Sequence, residues 1–401
     1  MKQGWEIKKL GEVCKLTNGY AFQSKDYTVD GFFVIRIGNV QDGYIELNNP
    51  RYIKLSEEKQ KKFFLSEGDI LVSLTGNVGR VGEIKEEHLP AVLNQRVAKI
   101  SLNSKSLQKA YLFYFLTSEY FITELIKAGR GAAQQNISTT DIVNLIIPLP
   151  PLPEQQRIVA ILDEAFAAIA KAKANAEQNL KNTKELFESY LQGLFENGDW
   201  ETKKINEITE VKDGTHDSPK YIKEGIPFVT QKNIKPNGLS FDDTKFITDT
   251  DHEKFYKRSN VTCGDILISM IGANRGMAAI VDDKRVFSIK NVGLIKSSEN
   301  INMNYLLYYL KSSMAMKYVL YMSNGGAQEF VGLTALRSFP IPFPTIKEQK
   351  EIVGKLDALI LETKKLKAIY QQKIDDLEEL KKSILQKAFA GELKTEKVLP
   401  I

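Results

Sequence analysis

Cysteine and histidine are scarce in this sequence. Its 401 residues include two cysteines, Cys14 and Cys263, and three histidines, His88, His216 and His252. The histidines are scattered and the cysteines occupy unrelated positions, so the sequence offers neither a zinc-ligand spacing nor a disulfide framework. We therefore expect a reduced, cytoplasmic protein that holds no metal.

Long apolar runs and nucleotide-binding loops are missing as well. No segment approaches the ~20 apolar residues that span a bilayer, and residues 1–6 lack the apolar core of a signal peptide. There is no Gly-x-x-x-x-Gly-Lys-Ser/Thr loop, and the glycines of residues 76–82 have the wrong spacing for a dinucleotide fingerprint. The Asn/Asp-Pro-Pro-Tyr/Phe tetrapeptide of amino-methyltransferases is also absent. The net charge of +5 permits a polyanionic partner without demanding one.

What the sequence does contain is a long internal repeat. Residues 147–163 align with residues 341–357, 194 positions later, and nine of the aligned residues are identical. Each copy has an apolar run, then prolines that disfavour helix and strand interiors, then a charged pattern with helical spacing. A repeat of this length indicates two copies of one unit, so the function is expected to be one that is performed twice.

Each copy predicts a long helix, one from Glu154 to about Glu196 and one from Glu348 to about Ala390. The glutamates lie in the first turn, where the helix dipole favours a carboxylate. Steps of four and three predict a heptad seam, and antiparallel pairing would set small residues of one seam against bulky residues of the other. Two separate helices, each lying on its own domain, are the alternative. The predicted seams are Ile158, Leu162, Ala165, Ile169, Ala172, Ala176, Asn179, Thr183, Leu186 and Tyr190, and Ile352, Leu356, Leu359, Thr363, Leu366, Tyr370, Lys373, Leu377, Leu380 and Ile384.

The segments before the two helices also repeat. Gly-Asp-Ile-Leu-Val-Ser at residues 68–73 corresponds to Gly-Asp-Ile-Leu-Ile-Ser at residues 264–269. Strand-favouring runs and turns predict a mixed, strand-rich domain, with one amphipathic helix at residues 110–127. Residues 19–24 and 214–219 differ between the copies, so scaffold positions match while loop positions diverge.

The repeat, the Ile-Pro-Leu-Pro…Glu-Gln helix starts and the Gly-Asp-Ile-Leu-Val-Ser segment together resemble the specificity (S) subunit of type I restriction–modification systems. The resemblance extends from Trp5 to Leu393. It implies two α/β (α+β) target recognition domains and a two-helix antiparallel coiled coil, related by a pseudo-twofold internal repeat. The implied segments are target recognition domains at residues 1–150 and 198–345, spacer helices at residues 151–197 and 346–393, and a C-terminal tail at residues 394–401.

The resemblance also implies a non-catalytic role. Each domain would read half of a bipartite site in double-stranded DNA, and the coiled coil would set the spacer and dock two modification (methyltransferase) subunits. Those partners would methylate adenine N6 using S-adenosylmethionine, while this chain would carry no cofactor. Restriction subunits with translocase and nuclease activity would join them. A related system, in which methylation and cleavage share one partner chain, remains an alternative.

A self-sufficient, metal-dependent nuclease is the alternative of another class. Asp69, Glu83 and Lys85 could together bind a metal ion and activate water. The second copy retains the aspartate, as Asp265, but has apolar residues at the other two positions. We therefore interpret Asp69 as a turn residue followed by a charged strand face.

Candidate DNA contacts follow from the chemistry of base recognition. Arginine forms bidentate hydrogen bonds with guanine, and asparagine or glutamine with adenine. At each position the alternative is a solvated loop residue, a turn-forming asparagine or a phosphate contact. Repeated pairs such as Asn39 with Asn233 can instead be scaffold. The candidates are Arg36, Asn39, Asn77, Arg80, Asn94, Gln95, Arg96, Arg130, Gln134 and Gln135 in the first domain, and Thr215, His216, Ser218, Gln231, Lys232, Asn233, Asn274, Arg275, Lys290, Asn291 and Gln328 in the second.

Overall fold

The computed structural model divides the chain into two compact units. The first comprises residues 1–176 and 372–401, and the second comprises residues 177–371. The division cuts both long helices, so each unit contains one mixed domain and half of each helix. The residues that the structure describes are 3–54, 62–128, 136–272, 274–322 and 330–393.

The domain of the first unit is built from short strands and short helices, and a long helix follows it. Aliphatic and aromatic runs form the strands, as β propensity predicts. Its strands are β1 (Glu6–Lys9), β2 (Cys14–Asn18), β3 (Tyr27–Thr28), β4 (Phe32–Ile35), β5 (Tyr52–Ile53), β6 (Ile70–Ser73), β7 (Val81–Glu83), β8 (Ala91–Leu93), β9 (Val97–Leu102) and β10 (Ile146–Leu149), and its helices are α1 (Leu10–Val13), α2 (Lys109–Leu116), α3 (Glu119–Ala128), α4 (Thr139–Asn144) and the long α5 (Leu152–Glu196).

Two sheets position the site in this domain. The strand orders are β2-β9-β6-β7 and β3-β5-β4-β8. In the second sheet β4 and β8 are parallel, with Val34 opposite Val92, so their carboxyl ends meet at one edge. The core against the first sheet includes the fully buried aromatic residues Tyr111, Phe115 and Phe121. In the second sheet, β4 is buried apart from Phe32 and β8 is buried throughout, so buried strands set the position of the turns that follow them.

The single helix predicted over residues 110–127 is wrong, because the chain forms two helices there. α2 ends at Leu116 and α3 begins at Glu119. Between them, Ser118 is buried and its hydroxyl accepts a hydrogen bond from the Phe121 amide at 3.3 Å while donating to the Phe115 carbonyl at 2.6 Å. A serine that satisfies amides at a helix start competes with a continuous helix.

The second unit repeats these elements and adds to them. Its strands are β11 (Thr202–Lys204), β12 (Val211–Asp213), β13 (Ile226–Val229), β14 (Ile234–Lys235), β15 (Gly238–Leu239), β16 (Lys245–Ile247), β17 (Ile266–Ser269), β18 (Ala278–Ile280), β19 (Ser288–Ile289), β20 (Val292–Ile295) and β21 (Pro340–Pro342), and its helices are α6 (Ile205–Ile208), α7 (Asp249–Ser259), α8 (Met303–Leu310), α9 (Ser313–Tyr321), α10 (Leu333–Arg337) and the long α11 (Ile346–Ala390).

The sheets of the second unit match those of the first. The order β12-β20-β17-β18 corresponds to β2-β9-β6-β7, and β16-β13-β19 contains the same parallel pairing that β4 makes with β8. Helix α7 lies beside β19. Thr248 caps its start, and Asn260 ends it in a left-handed conformation at φ 48°. The residues of the first copy that correspond to α7 in sequence include 55–61, which lie outside the described residues.

Some of the prolines before the long helices lie in strands, contrary to the expectation that prolines would interrupt strands. Pro148 pairs with Ile7 of β1, and Pro342 pairs with Thr202 of β11. Both sheets have two strands. Proline is tolerated there because one side of an edge strand makes no hydrogen bonds to a neighbouring strand, so the amide hydrogen that proline lacks is not needed.

In each unit, the start of one long helix shares an apolar cluster with the end of the other. In the first unit, Leu162 near the start of α5 shares an apolar cluster with Leu385 and Phe389 near the end of α11. In the second, Leu191 near the end of α5 shares a cluster with Leu356 near the start of α11. Within the described part of the chain, no helix combines the length and apolarity needed to cross a membrane.

The predicted seam is wrong toward the ends of both helices. Leu186 and Tyr190 are 50% and 42% exposed, and Leu380 is 47% exposed, while the buried face continues through Leu191 and Phe195. A seam counted in heptads drifts by about 20° per heptad on a helix of 3.6 residues per turn. Over four heptads the drift is about 80°, close to the ~100° that separates consecutive residues.

Candidate nucleic-acid interface

A cleft of about 600 Å³ lies beyond the carboxyl ends of β4 and β8 in the first unit. It gathers five of the candidate residues. Arg36 and Asn39 come from the turn after β4, and Asn94, Gln95 and Arg96 come from the β8–β9 connection. Parallel strands bring these two turns to one edge of the sheet, where ligands of open sheets commonly bind.

Asn39 holds the wall of this cleft. Its Oδ1 accepts a hydrogen bond from the Arg36 amide at 3.0 Å, and its Nδ2 donates to the carbonyls of Glu46 at 3.0 Å and Asn48 at 3.2 Å. The side chain is buried. Because both side-chain amide hydrogens are used within the turn, Asn39 has the geometry of a scaffold residue and not that of a base reader.

The remaining cleft candidates differ in how far their polar atoms are already used. Arg36 is half-buried and donates from Nη2 to the Asn49 carbonyl at 2.7 Å. Asn94 is buried, and its Oδ1 accepts from the Arg96 amide at 3.3 Å. Gln95 and Arg96 are exposed. The cleft therefore has fixed walls and exposed side chains at its mouth.

Asn77 and Arg80 lie outside this cleft, in the glycine-punctuated loop. Arg80 donates from Nη1 to Gln41 Oε1 at 2.6 Å and forms an ion pair with Asp42 at 3.7 Å. Asn77 is exposed, and its carbonyl accepts the hydroxyl of Ser73. Arg80 is thus held against its own domain, whereas the Asn77 side chain projects into solvent.

An equivalent cleft of about 510 Å³ occurs in the second unit. It gathers Gln231, Lys232 and Asn233 from the turn after β13, and Lys290 and Asn291 from the β19–β20 connection. These are the positions that correspond to the cleft residues of the first copy, and here too the two turns follow neighbouring parallel strands. The two domains therefore present the same cleft with different side chains.

Asn233 repeats the structural role of Asn39. Its Oδ1 accepts from the Thr230 amide at 2.9 Å, and its Nδ2 donates to the Ser240 carbonyl and to Thr244 Oγ1, both at 3.0 Å. Gln231 is partly engaged, since its Oε1 accepts from Ser269 Oγ at 3.3 Å. The matched asparagines define the turns on which the variable side chains stand.

A charged network joins the loops of the second cleft. His216 Nδ1 lies 2.7 Å from Asn291 Oδ1, and His216 Nε2 lies 3.1 Å from Asp213 Oδ2. Arg258 of α7 donates to both oxygens of the buried Asp213, at 2.9 and 2.8 Å. Lys290 Nζ donates to the Ser218 hydroxyl. The sequence analysis missed Asp213 and Arg258, since only the fold brings α7 to these loops.

Other charged residues lie beside this cleft or line it. Lys254 of α7 forms an ion pair with Asp217 at 2.9 Å, and this lysine holds the pKa of the Asp217 carboxyl below its usual range. Lys232, Lys235 and Lys245 line the cleft. Asp242 and Asp243 line it as well, so the second cleft is lysine-rich but mixed in sign.

The last candidates lie apart from both clefts or outside the described residues. Thr215 is buried, with Oγ1 accepting from the Asp217 amide at 3.1 Å. Asn274 is exposed, and Arg275 donates from Nη1 to the Gly272 carbonyl at 3.3 Å. Arg130, Gln134, Gln135 and Gln328 fall outside the residues that the structure describes.

A buried glutamine fixes the start of each long helix, and the sequence analysis missed it. Gln155 accepts from the Gln108 amide at 2.8 Å and donates to the carbonyls of Ser106 and Pro150, both at 2.8 Å. Gln349 occupies the same position in the second unit and accepts from the Asn302 amide at 2.8 Å. The repeated Glu-Gln pair was the available signal.

Two tyrosines also tie each domain to its helix. Tyr111 donates to the Pro148 carbonyl at 2.8 Å, and Tyr305 makes the matching bond with Pro342. Tyr114 donates to Asp163 of α5, as its counterpart Tyr308 does to Asp357 of α11. Burial raises the pKa of Tyr114, and the hydrogen bond with the Asp163 carboxylate raises it further. The helix direction is therefore set by the domain.

The carboxylates considered for a nuclease are engaged in ion pairs. Asp69 accepts from the Ser66 amide at 2.9 Å and from Lys99 Nζ at 3.0 Å, as a turn residue does. Glu83 pairs with Lys109 at 2.7 Å. Among the described residues, no group of three or more His, Cys, Asp or Glu side chains could hold a metal ion.

Comparison with known proteins identifies relatives along nearly the whole chain. The family model described as "Type I restriction modification DNA specificity domain" matches residues 2–181 and again residues 197–378. The EcoBI specificity subunit of Escherichia coli, a type I restriction enzyme subunit, is 25% identical over 420 residues, covering 97% of this chain and 86% of that protein. The putative MjaX specificity subunit of Methanocaldococcus jannaschii is 26% identical over 426 residues, covering 98% and 94%.

Solved structures share the fold. The HsdS subunit from Thermoanaerobacter tengcongensis superposes with a TM-score of 0.64 at 20% identity, covering 98% of each chain. A chain from a study of assembly and conformational transition in the type I R-M system gives a TM-score of 0.72 at 21% identity, covering 98% and 99%.

Proposed function

Because this chain belongs to the type I restriction–modification DNA specificity family, we propose that it is the non-catalytic subunit that selects the DNA site of such a complex. Each domain recognises one half of a bipartite site in double-stranded DNA. The observation that carries this proposal is the pair of equivalent clefts, one in each unit, built on matched turns and lined by different side chains.

The difference between the clefts suits two different half-sites. Asn39 and Asn233 hold the turns in the same way, whereas the neighbouring positions carry Arg36 in one copy and Thr230 in the other. Recognition of two unlike base sequences requires different hydrogen-bonding side chains on the same backbone, and the two turns provide this arrangement.

The two long helices act as the ruler between the half-sites. Each has 45 residues, which at 1.5 Å per residue corresponds to about 68 Å. That length equals about 20 base pairs at ~3.4 Å per pair. Paired along their whole length as an antiparallel coiled coil, with a pseudo-twofold relation between the repeats, the helices set the spacer of the site.

The helices also dock two methyltransferase subunits. Leu186 in the second unit and Leu380 in the first are half-exposed apolar residues at equivalent positions, 194 residues apart. Two equivalent apolar sites suit two copies of one partner. These partners supply adenine-N6 methylation from S-adenosylmethionine, and restriction subunits with translocase and nuclease activity join the complex.

Methylation-sensitive sequencing tests the proposal most directly. A host genome sequenced with and without this chain, alongside its methyltransferase partner, should gain methylated adenines in one split sequence only when the chain is present. Methylation that is independent of the chain, or an unsplit target, would contradict the proposal. The domain content of the partner distinguishes this system from one in which methylation and cleavage share a single chain.

The ruler is tested by changing the length of α5. Inserting four residues near Ala172 to Asn175 adds about 6 Å of helix, so the gap between half-sites should lengthen or recognition should be lost. The half-site sequences themselves should stay the same. If sequencing instead showed altered half-sites with an unchanged gap, the helices would not be the ruler.

A further inference from the structure

The β8–β9 connection has a fixed backbone. The Asn94 amide donates to the Ile35 carbonyl at 3.2 Å, and the Gln95 amide donates to the Tyr20 carbonyl at 2.9 Å. The Arg96 carbonyl accepts a hydrogen bond of 3.0 Å from the amide of Leu74, the residue that follows β6. All three consecutive residues are therefore anchored to neighbouring strands or loops.

The side chains of Gln95 and Arg96 are exposed on this anchored backbone. Within the described residues, neither side chain has a hydrogen-bond or ion-pair partner. In contrast, Asn39 and Arg80 use their polar atoms within the domain. A fixed backbone that presents unengaged donors at the mouth of a cleft is preorganised for binding.

Resting on the proposed DNA-binding function, we propose that Gln95 and Arg96 read base edges in the half-site of the first domain. A glutamine amide pairs with N6 and N7 of adenine, and an arginine guanidinium pairs with O6 and N7 of guanine in the major groove. The half-site of the first domain then contains one A·T base pair read by Gln95 and one G·C base pair read by Arg96.

The second domain uses the same backbone anchors differently. The Lys290 amide donates to the Val229 carbonyl at 2.9 Å, and the Asn291 amide donates to the Thr215 carbonyl at 3.1 Å, as in the first copy. The connection is one residue shorter, and Asn291 adopts a left-handed conformation at φ 51°. The side-chain oxygen Oδ1 of Asn291 lies 2.7 Å from His216 Nδ1, so this side chain already has a partner within the domain. The A·T and G·C base pairs assigned to Gln95 and Arg96 are therefore expected in one half-site only.

The experiment compares Gln95→Ala and Arg96→Ala with the wild-type chain in complex with its methyltransferase partner. Binding is measured by competition with duplexes in which each base pair of the split site is changed in turn. Each variant should lose roughly 5- to 150-fold of discrimination at one base pair of one half-site. The other half-site and the spacer should be unchanged. Gln156→Ala is the control, since Gln156 is an exposed glutamine on α5.

Arg96→Lys separates base reading from attraction to phosphate. The substitution keeps the charge but removes the bidentate fork, so guanine discrimination should fall while overall affinity is retained. Arg96→Ala would identify a phosphate contact, and overturn the inference, if it weakened binding equally to all duplexes. The slope of log affinity against log salt concentration should then be reduced by about one. Unaltered discrimination would overturn the inference as well. A wild-type complex without split-site preference would instead overturn the proposed function and the inference with it.

Discussion

Replacing Gln155 with methionine tests how the start of a long helix is fixed. The substitution keeps the length of the side chain but removes one acceptor and the two donor hydrogens that Gln155 uses with Gln108, Ser106 and Pro150. Gln155 is 0% exposed, so water cannot replace these bonds without a local opening. A buried polar group left without a partner costs about 1–3 kcal/mol.

We expect Gln155→Met to destabilise its unit by about 2–4 kcal/mol, because partial relaxation returns some of the loss from three groups. For a folding unit of 150–250 residues this corresponds to a melting temperature lowered by roughly 4–16 °C. Differential scanning calorimetry of the full chain measures the change. Gln349→Met is the matched variant in the other unit, where the side chain bonds Asn302 and Pro344.

Gln156→Met is the control for helix propensity, because Gln156 is exposed on the same turn. Its effect should stay within about 0.5 kcal/mol. The reasoning would be refuted if Gln155→Met were no more destabilising than Gln156→Met. In that case the hydrogen bonds of the repeated glutamine would not determine where the helix begins.

Three further perturbations address packing and charge. Phe389→Ala removes a buried aromatic ring that joins α11 to the first domain, so the urea midpoint should reflect a loss of about 3–5 kcal/mol. Lys173→Met removes the lysine that lowers the pKa of Glu378. Because the pKa of Glu378 is depressed in the folded state, the stability difference from wild type, about 0.2–1 kcal/mol at neutral pH, should be lost in urea titrations as the pH falls through that lowered pKa. Asp213→Asn breaks the network of the second cleft, so thermal unfolding should show a loss of stability of about 1–3 kcal/mol. Methylation-sensitive sequencing should show a second half-site of relaxed sequence. Lys254→Met should change neither the stability nor the half-site.

The comparison of the two copies explains which candidate residues the sequence could sort. Asn39 and Asn233 recur at matched positions, and both hold their turns with the amide group. Repetition therefore indicated a scaffold role. Gln95 and Arg96 do not recur, because the second copy has Asn291 on the backbone anchor of Gln95 and its connection is one residue shorter. Divergence marked the variable positions but gave no distances, so exposure and bonding could be decided only in three dimensions.

The seam of the long helices shows a different limit. The heptad count placed Leu186 and Leu380 inside, yet both are about half-exposed. The sequence carries the apolar pattern, but a helix of 3.6 residues per turn rotates that pattern relative to its neighbour along its length. The tertiary packing, through Leu191 and Phe195, decides which face is buried at each end.

By itself, the sequence determined that one unit occurs twice, that each copy ends in a long helix and that the loops between matched anchors differ. These features are local or periodic, so they can be read along the chain. Tertiary structure alone decided that two turns meet in one cleft, that Arg258 reaches Asp213 and that Gln155 fixes the helix start. The residues concerned are far apart in the sequence: 45 positions separate Asp213 and Arg258, and 49 separate Ser106 and Gln155. Arg36 and Gln95, which line one cleft, are 59 positions apart. Only the folding of the strands and helices brings such residues together.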